Sequence, residues 1–532
     1  MTTSTEAAQP ESGLALNPTL RRLDVFAVLV CALVGVDTLG AVSAYGPQGL
    51  LWMALIAVIF FLPYGLLIAE LGSAFPQEGG PYVWTKLAYG KFAAGINQFF
   101  YWISNPVWIG GTLCIVAVVT FEEFFFPLPG AWKWIVAAVF VWGSACVIGA
   151  SVRFGRWIFL VGAAARIALL GLFITSVIVF ACKNGIQPMH AGDFSWTYAG
   201  FVAVIPVIVF NFLGFEVPSN AAEEMVNPQK DVPLTVLRGG LTATLLYGIP
   251  VLGILLVLPK NQLGTLTGFV DACRAVFTVY GGSIAPDGTA ELHGLGQFAA
   301  QIAAAGLIIG LFTSGTAWAM GVSRAQAVAF ADGAGPAWLG KFSNNGSPAR
   351  VNIMSAAVST VVMAAAMIFA HGNAEKYFSA AIGLVVSATA ISYILTFSSF
   401  MRLRHKYPDT RRPFKVVGGQ VGGWIVTVLT VGTMFFTVVS LFWPGIGVGW
   451  TGSGDDADAL LPKGFEGQRL EYTLSQLVPM AGVLVMASCL YLLGSVGRRS
   501  VVIHEDISTP AAGGPGTRNE KESIGAQRAQ QV

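Results

Sequence analysis

Charge is scarce in this chain. Lys, Arg, Asp and Glu make up 11% of its 532 residues, against about 25% in a soluble domain. That scarcity excludes an ordinary water-facing surface over most of the length. The six cysteines form no Cys-x-x-Cys pair, and the five histidines sit in loops or at segment ends without metal-ligand spacing, so no metal site is expected. A Gly-x-x-x-x-Gly-Lys-Ser/Thr phosphate loop is missing, so ATP is not the expected direct energy source. No basic patch interleaved with aromatics points to nucleic acid, and no cofactor is called for. Residues 1–20 are polar, without the charged start and short apolar core of a cleavable leader.

What the chain has instead is apolar residues, 55% of the total. A helix needs about 20 of them to cross about 30 Å of hydrocarbon. Twelve runs qualify: 23–44, 48–71, 92–121, 132–151, 157–181, 199–218, 236–258, 297–322, 351–370, 377–400, 423–443 and 474–496. With the N-terminus in the cytoplasm, 22 Lys and Arg fall on inner segments, 7 on outer ones, and Arg166 within a span. That bias places both termini inside and supports an even number of spans, in a plasma membrane protein. Residues 1–20 and 501–532 read as disordered tails, with the membrane domain between them over 21–500. The longest outer loops are 259–296 and 444–473; the second carries Asp455, Asp456 and Asp458, either a solvated acidic face or a calcium site. The cysteines, lying mostly in spans, read as small buried apolar groups. Cys182 and Cys273 both fall on the outer side, where the alternative to free thiols is a disulfide between them.

Two of the apolar runs are interrupted by glycine and an acid. The first is Cys31–Tyr45, with Asp37 in its middle; the second is Val207–Asn220, with Glu216 in its middle. An acid within hydrocarbon costs about 2.5–3.5 kcal/mol on insertion scales, so it marks function. The two breaks are about 180 residues apart, as in a secondary transporter built from two related halves. Gly35-Val36-Asp37 and Gly214-Phe215-Glu216 share a Gly–apolar–acid pattern in spans 1 and 6.

Four motifs, one of them built around the second break, carry a resemblance. They are Pro63-Tyr64-Gly65 with Glu70, Phe75-Pro76 and Gly79-Gly80-Pro81-Tyr82; Phe212-Leu213-Gly214-Phe215-Glu216 with Glu223-Glu224 and Asn227-Pro228; Ser323-Arg324 with Asp332-Gly333 and Ser347-Pro348; and Arg411-Arg412-Pro413-Phe414. Together they resemble the amino acid–polyamine–organocation (APC) superfamily of permeases over roughly 23–495. The resemblance implies an all-α membrane fold of the leucine-transporter-like type. Five helices (about 21–185) and five more (about 195–400) form inverted repeats, helices 1 and 6 are broken around a substrate site, and two extra helices follow (about 423–496).

A broken helix exposes backbone N–H and C=O groups inside the protein. The N–H end attracts a carboxylate and the C=O end an ammonium, so the breaks suit an amino acid or a related amine. The candidate substrate residues are Gly35, Val36, Asp37, Thr38 and Gly40 at the first break, and Phe210, Asn211, Phe212, Gly214 and Phe215 at the second. The Gly-Val-Asp form departs from the glycine- and serine-rich break of many family members. An ionised Asp37 favours an ammonium group; the alternative is a carboxylate paired internally. Glu216 matches an acid that relatives use in gating or proton sensing; the alternative is a structural acid capping freed N–H groups. Phe210, Phe212 and Phe215 either close over a ligand or pack. Asn105 is a weaker candidate contact, and Trp318 is core or lipid-facing.

Arg166 stands where some branches carry a lysine, roughly 15 Å into span 5 at 1.5 Å per residue. Guanidinium does not deprotonate in proteins. It reads as a fixed cation in place of sodium, facing an acid or the carbonyls of span 1, or else as an arginine reaching for the cytoplasm. Coupling then comes from protons or from exchange. The function expected is a secondary active permease for amino acids or amines, not an enzyme. The alternatives are a polyamine or organic-cation carrier and a non-transporting sensor with the same fold. Oligomeric state is not fixed by the sequence, because lipid-facing and subunit-facing surfaces are equally apolar.

Overall fold

The computed structural model describes residues 20–495 except 151, 195, 260–261, 264–267, 286–288, 345, 370–373, 446–459 and 463. Both expected tails, apart from Leu20 at the edge of the first, and the acidic cluster Asp455, Asp456 and Asp458 lie outside the described residues.

Among the described residues, eleven helices are long and apolar enough to cross a membrane, and a twelfth apolar helix is shorter. In chain order the first five spans are Arg22–Ser43, Pro47–Ala74, Lys91–Phe124, Ala131–Ala150 and Arg156–Asn184. The sixth is the short helix Tyr198–Asn211. The last six are Pro228–Val257, Leu295–Ala334, Ala349–Ile368, Lys376–Lys406, Gly419–Phe442 and Arg469–Gly494. The fold is the all-α, leucine-transporter-like arrangement, with spans 1 and 6 broken at its centre. Large apolar side chains such as Val58, Val139, Leu237 and Val421 face outward, where lipid lies, while Asp37, Glu70, Arg166, Glu216 and Arg324 are buried. This inverts the usual polar-out pattern, because the surrounding solvent is hydrocarbon.

Each break has a local cause. The first helix ends at Leu33, and Gly35 continues in an extended conformation into the single turn Val36–Thr38 before helix resumes over Leu39–Ser43. In the sixth span, expected over 199–218 with a break at Gly214, helix stops at Asn211. Gly214 then takes φ +132°, a region that L side chains rarely adopt. Pro218, whose ring presets a helical φ, restarts the chain as the 3₁₀ segment Pro218–Glu224. The two breaks touch: a Cβ on Gly214 would lie 3.4 Å from the Ala32 backbone.

Loop 259–296 is more structured than its composition suggests. It contains the helix Gly268–Phe277, whose Phe269, Val270, Cys273 and Val276 are buried, and an antiparallel pair, β1 (Gly282–Ile284) and β2 (Ala290–Leu292), with Ser283 opposite Glu291. The cysteine expectation needs correcting. All six are free; Cys31, Cys114 and Cys273 are buried, but Cys146, Cys182 and Cys489 are exposed. Thiols are apolar enough to face lipid as readily as core.

Candidate functional site

A helix that stops inside the protein leaves its last carbonyls without partners. At the first break side chains supply every one. Ser314 donates to the Cys31 carbonyl at 3.0 Å, and Trp318 donates to Ala32 at 2.9 Å. Tyr247 donates to Leu33 at 2.7 Å, and Arg166 donates through Nε to Val34 at 2.9 Å. Trp318 is therefore a core residue that caps a helix end. Arg166 is buried and does not reach for the cytoplasm. Its Nη1 also donates to Thr313 Oγ1 at 2.7 Å and to the Gly162 carbonyl at 3.0 Å; Nη2 donates to Ser314 Oγ at 2.5 Å and to the Gly310 carbonyl. Among the described residues no carboxylate pairs with Arg166. Its charge faces helix-end carbonyls, where the helix dipole is negative.

The C=O end is thus filled by the protein itself, which leaves the side chains of the breaks as the polar groups available to a ligand. Asp37 is buried. Its Oδ2 accepts the Trp108 indole N–H at 3.1 Å, whereas its Oδ1 has no hydrogen-bond partner. Gly35 makes room for that carboxylate, since a Cβ there would come within 2.9 Å of Oδ1. Trp108 also meets the Phe210 ring edge-on at 5.4 Å and Trp318 at 6.3 Å. Asn211, next in the chain, is buried with both amide atoms unpartnered, and Asn105 Oδ1 is in the same condition. Such orphaned buried polar groups are rare and need an explanation.

The structure divides the other candidates. Val36 is buried, with its side chain beside Gly310. Thr38 turns back to donate to the Gly35 carbonyl at 3.2 Å. Gly40 packs against Gly268, where an added Cβ would lie 3.2 Å from the Gly40 Cα. Phe212 and Phe215 stack on Phe61 of span 2, with ring centres at 4.5 and 4.6 Å, and so serve packing. Of the three phenylalanines, Phe210 is the one that meets Trp108, the donor to Asp37.

At the second break the hydroxyl of Tyr64 accepts the freed N–H groups of Gly214 and Phe215, each at 3.0 Å, and donates to Glu216. Tyr101 donates to Glu216 Oε1 at 2.9 Å, and Tyr393 donates to the same oxygen. Asn220 donates to Tyr101 at 3.0 Å. One buried carboxylate thereby ties spans 2, 3 and 10 to span 6. Sequence reasoning quoted Tyr64 inside a motif but missed Trp108, Tyr101, Tyr247 and Tyr393. A Tyr or Trp within an apolar run is the only available signal, since its polar tip needs a partner when buried.

Ionic contacts concentrate at the end of the bundle that carries most of the Lys and Arg. Arg404 grips both oxygens of Glu70, at 2.8 and 2.6 Å; Val416 N–H donates to Glu70 at 2.7 Å, and Arg412 stands at 3.3 Å. Arg324 is held between Glu78 at 2.9 Å and Glu224 at 2.6 Å. Asp332 accepts from Tyr82 at 2.7 Å and pairs with Lys86 at 2.9 Å. Arg22 pairs with Asp231 at 2.8 Å, and Leu20 bonds the Glu224 carbonyl and the Val226 N–H on either side of Met225. Burial, opposed by the Arg324 guanidinium and aided by the Glu224 and Glu223 carboxylates, pushes the Glu78 carboxyl up to about 8. This end is closed. The opposite end retains a narrow cleft of about 50 Å³ between Ala41, Tyr45, Ala203, Pro206 and Ile382.

A family model described as amino acid permease matches residues 20–453. A probable agmatine/putrescine antiporter of Lactococcus lactis subsp. lactis (strain IL1403) is 27% identical over 431 residues, 79% of this chain and 86% of that protein. A glutamate/gamma-aminobutyrate antiporter of the same strain is 23% identical over 410 residues, 74% of this chain and 76% of that one. Among solved structures, an Eremococcus coleocola manganese transporter in complex with an aromatic bis-isothiourea compound superposes with a TM-score of 0.54 at 12% identity, covering 91% of this chain and 98% of that one. At that identity the likeness concerns the fold alone.

Proposed function

The chain belongs to the amino acid permease family, and from that premise we propose that Asp37 binds the ammonium group of a cationic amine. The protein is a secondary transporter of amino acids or amines. The observation that carries the finer reading is the buried Asp37 Oδ1, which has no partner of its own. An ammonium would supply the missing donor and the compensating charge. Trp108 and Phe210 line the same place, and aromatic faces attract cations by about 0.5–2 kcal/mol. Arg166 is fully engaged with oxygens of the protein, so it offers nothing to a substrate carboxylate. These features favour an agmatine- or putrescine-like compound over a zwitterionic amino acid, in line with the relative described as a probable agmatine/putrescine antiporter.

In this reading the transporter works by alternating access and exchange. The closed ionic end faces the cytoplasm, as the distribution of Lys and Arg supports, and the protein resides in the plasma membrane. Glu216, tied to three tyrosines from three spans, senses or carries a proton as the halves move. The test is a competition panel in proteoliposomes with polyamines and with cationic, neutral and acidic amino acids. Wild type should prefer diamines, and Asp37→Asn should lose that preference while keeping its fold. A preference for neutral or acidic amino acids, unchanged in Asp37→Asn, would overturn the assignment.

A further inference from the structure

Spans 3, 4, 5 and 8 meet at the lipid-facing periphery of the bundle around an apolar groove. It encloses about 520 Å³, within the roughly 300–1,000 Å³ of small-molecule sites. Cys114, Phe121, Val139, Trp157, Val161 and Thr313 are among its lining, which is almost wholly apolar. Along span 3 the lining runs from Cys114 to Phe121, about 10 Å at 1.5 Å per residue. The groove opens to the surroundings of the bundle, as the exposure of Val139 (65%), Trp157 (60%) and Val161 (57%) shows. A space with such walls does not hold water, which needs several polar partners. Left empty, it would forfeit the dispersion contacts of its lining.

A charge stands beside the Trp157 wall. The Arg156 guanidinium lies 5.4 Å from the centre of the Trp157 ring. No carboxylate pairs with Arg156 among the described residues. An unpaired guanidinium is suited to a phosphate, which it grips through two N–H groups at once. Trp157 beneath it has the amphipathic ring favoured at the membrane–water boundary.

The geometry points to a phospholipid site: an anionic phospholipid lays one acyl chain along the groove and sets its phosphate on Arg156. The chain then lies against Thr313, whose hydroxyl receives the Arg166 guanidinium at 2.7 Å. Bound lipid therefore supports, from the membrane side, the wall on which the first break rests.

Native mass spectrometry of the full-length protein tests this, with phosphatidylglycerol and phosphatidylcholine as probes. Wild type should bind phosphatidylglycerol about fivefold more tightly, the effect of about 1 kcal/mol for one interfacial cation. Arg156→Gln should abolish that preference, and Val161→Trp, which fills the groove, should reduce retention of both lipids. Arg156→Gln changes an interfacial side chain, so the test stands even where the Trp variant fails to fold. Equal binding of the two lipids by wild type, or an undiminished preference in Arg156→Gln, overturns the proposal. So does a wild-type dimer that Val161→Trp dissociates, which would make a second copy the occupant.

Discussion

The hydroxyl of Tyr247 stands across the first break from Gly35, accepting its N–H at 2.7 Å while donating to the Leu33 carbonyl at 2.7 Å. One side-chain atom from span 7 thus stitches the two sides of an interrupted helix. Tyr247→Phe removes it and leaves two buried backbone groups short of a partner, at about 1–3 kcal/mol. The variant should melt several degrees below wild type in detergent and transport more slowly. An unchanged melting temperature would mean that the break holds itself.

Glu216 gathers Tyr64, Tyr101 and Tyr393. A carboxylate accepts all three hydroxyls; the amide of Glu216→Gln has one oxygen to accept with and two N–H groups that need acceptors. We expect substrate binding to survive and the transport rate to fall about tenfold, the loss of one charge-assisted bond of about 1.5 kcal/mol. The pH dependence of the rate should flatten. Flux assays in proteoliposomes across external pH measure both. A wild-type pH profile in Glu216→Gln would reduce this acid to a structural role.

The closed end rests on the pair of Glu70 and Arg404, both nearly inaccessible. Arg404→Ala strands the Glu70 carboxylate, and breaking a buried pair costs about 3–5 kcal/mol. Hydrogen exchange should rise over the second half of span 2 and over 403–416. The exchanged pair, Glu70→Arg with Arg404→Glu, should recover part of the protection. Protection that is unaltered in Arg404→Ala would show that Arg412 and the Val416 N–H suffice.

Glu78 gives the closed end a pH dependence. Its carboxyl rises from an ordinary 4.5 to about 8 because burial outweighs the Arg324 guanidinium. In the closed fold the group therefore keeps a proton that it has released when exposed. Its stabilising contribution is complete below the ordinary value and disappears as pH climbs through about 8. Wild type should lose melting temperature progressively between those limits, whereas Glu78→Gln should show a flatter profile. Equal slopes would refute this assignment.

The two helix breaks were readable in the sequence. Gly35-Val36-Asp37 and Gly214-Phe215-Glu216 announced two broken spans, because glycine and a carboxylate have no ordinary place in a lipid-spanning helix. Arg166 was legible as a fixed cation, with an acid of span 1, its carbonyls and the cytoplasm all left open as partners, and packing chose the carbonyls. The last helical residue before the second break, Asn211, was not legible, since apolarity continues through the break and only backbone conformation interrupts the helix.

The sequence by itself determined the solvent and the places where helices break, both of which depend on local composition. Tertiary structure alone decided which side chains repair the breaks. Trp108, Tyr247, Trp318 and Ser314 are polar-tipped residues in apolar runs, indistinguishable there from packing. Each acquires its role from a carbonyl, carboxylate or N–H delivered by another span, between 71 and 286 positions away along the chain. Periodicity and propensity reach only a few residues. Asp37 was visible as an acid in a membrane, but that one of its two oxygens remains unpartnered is a fact of packing.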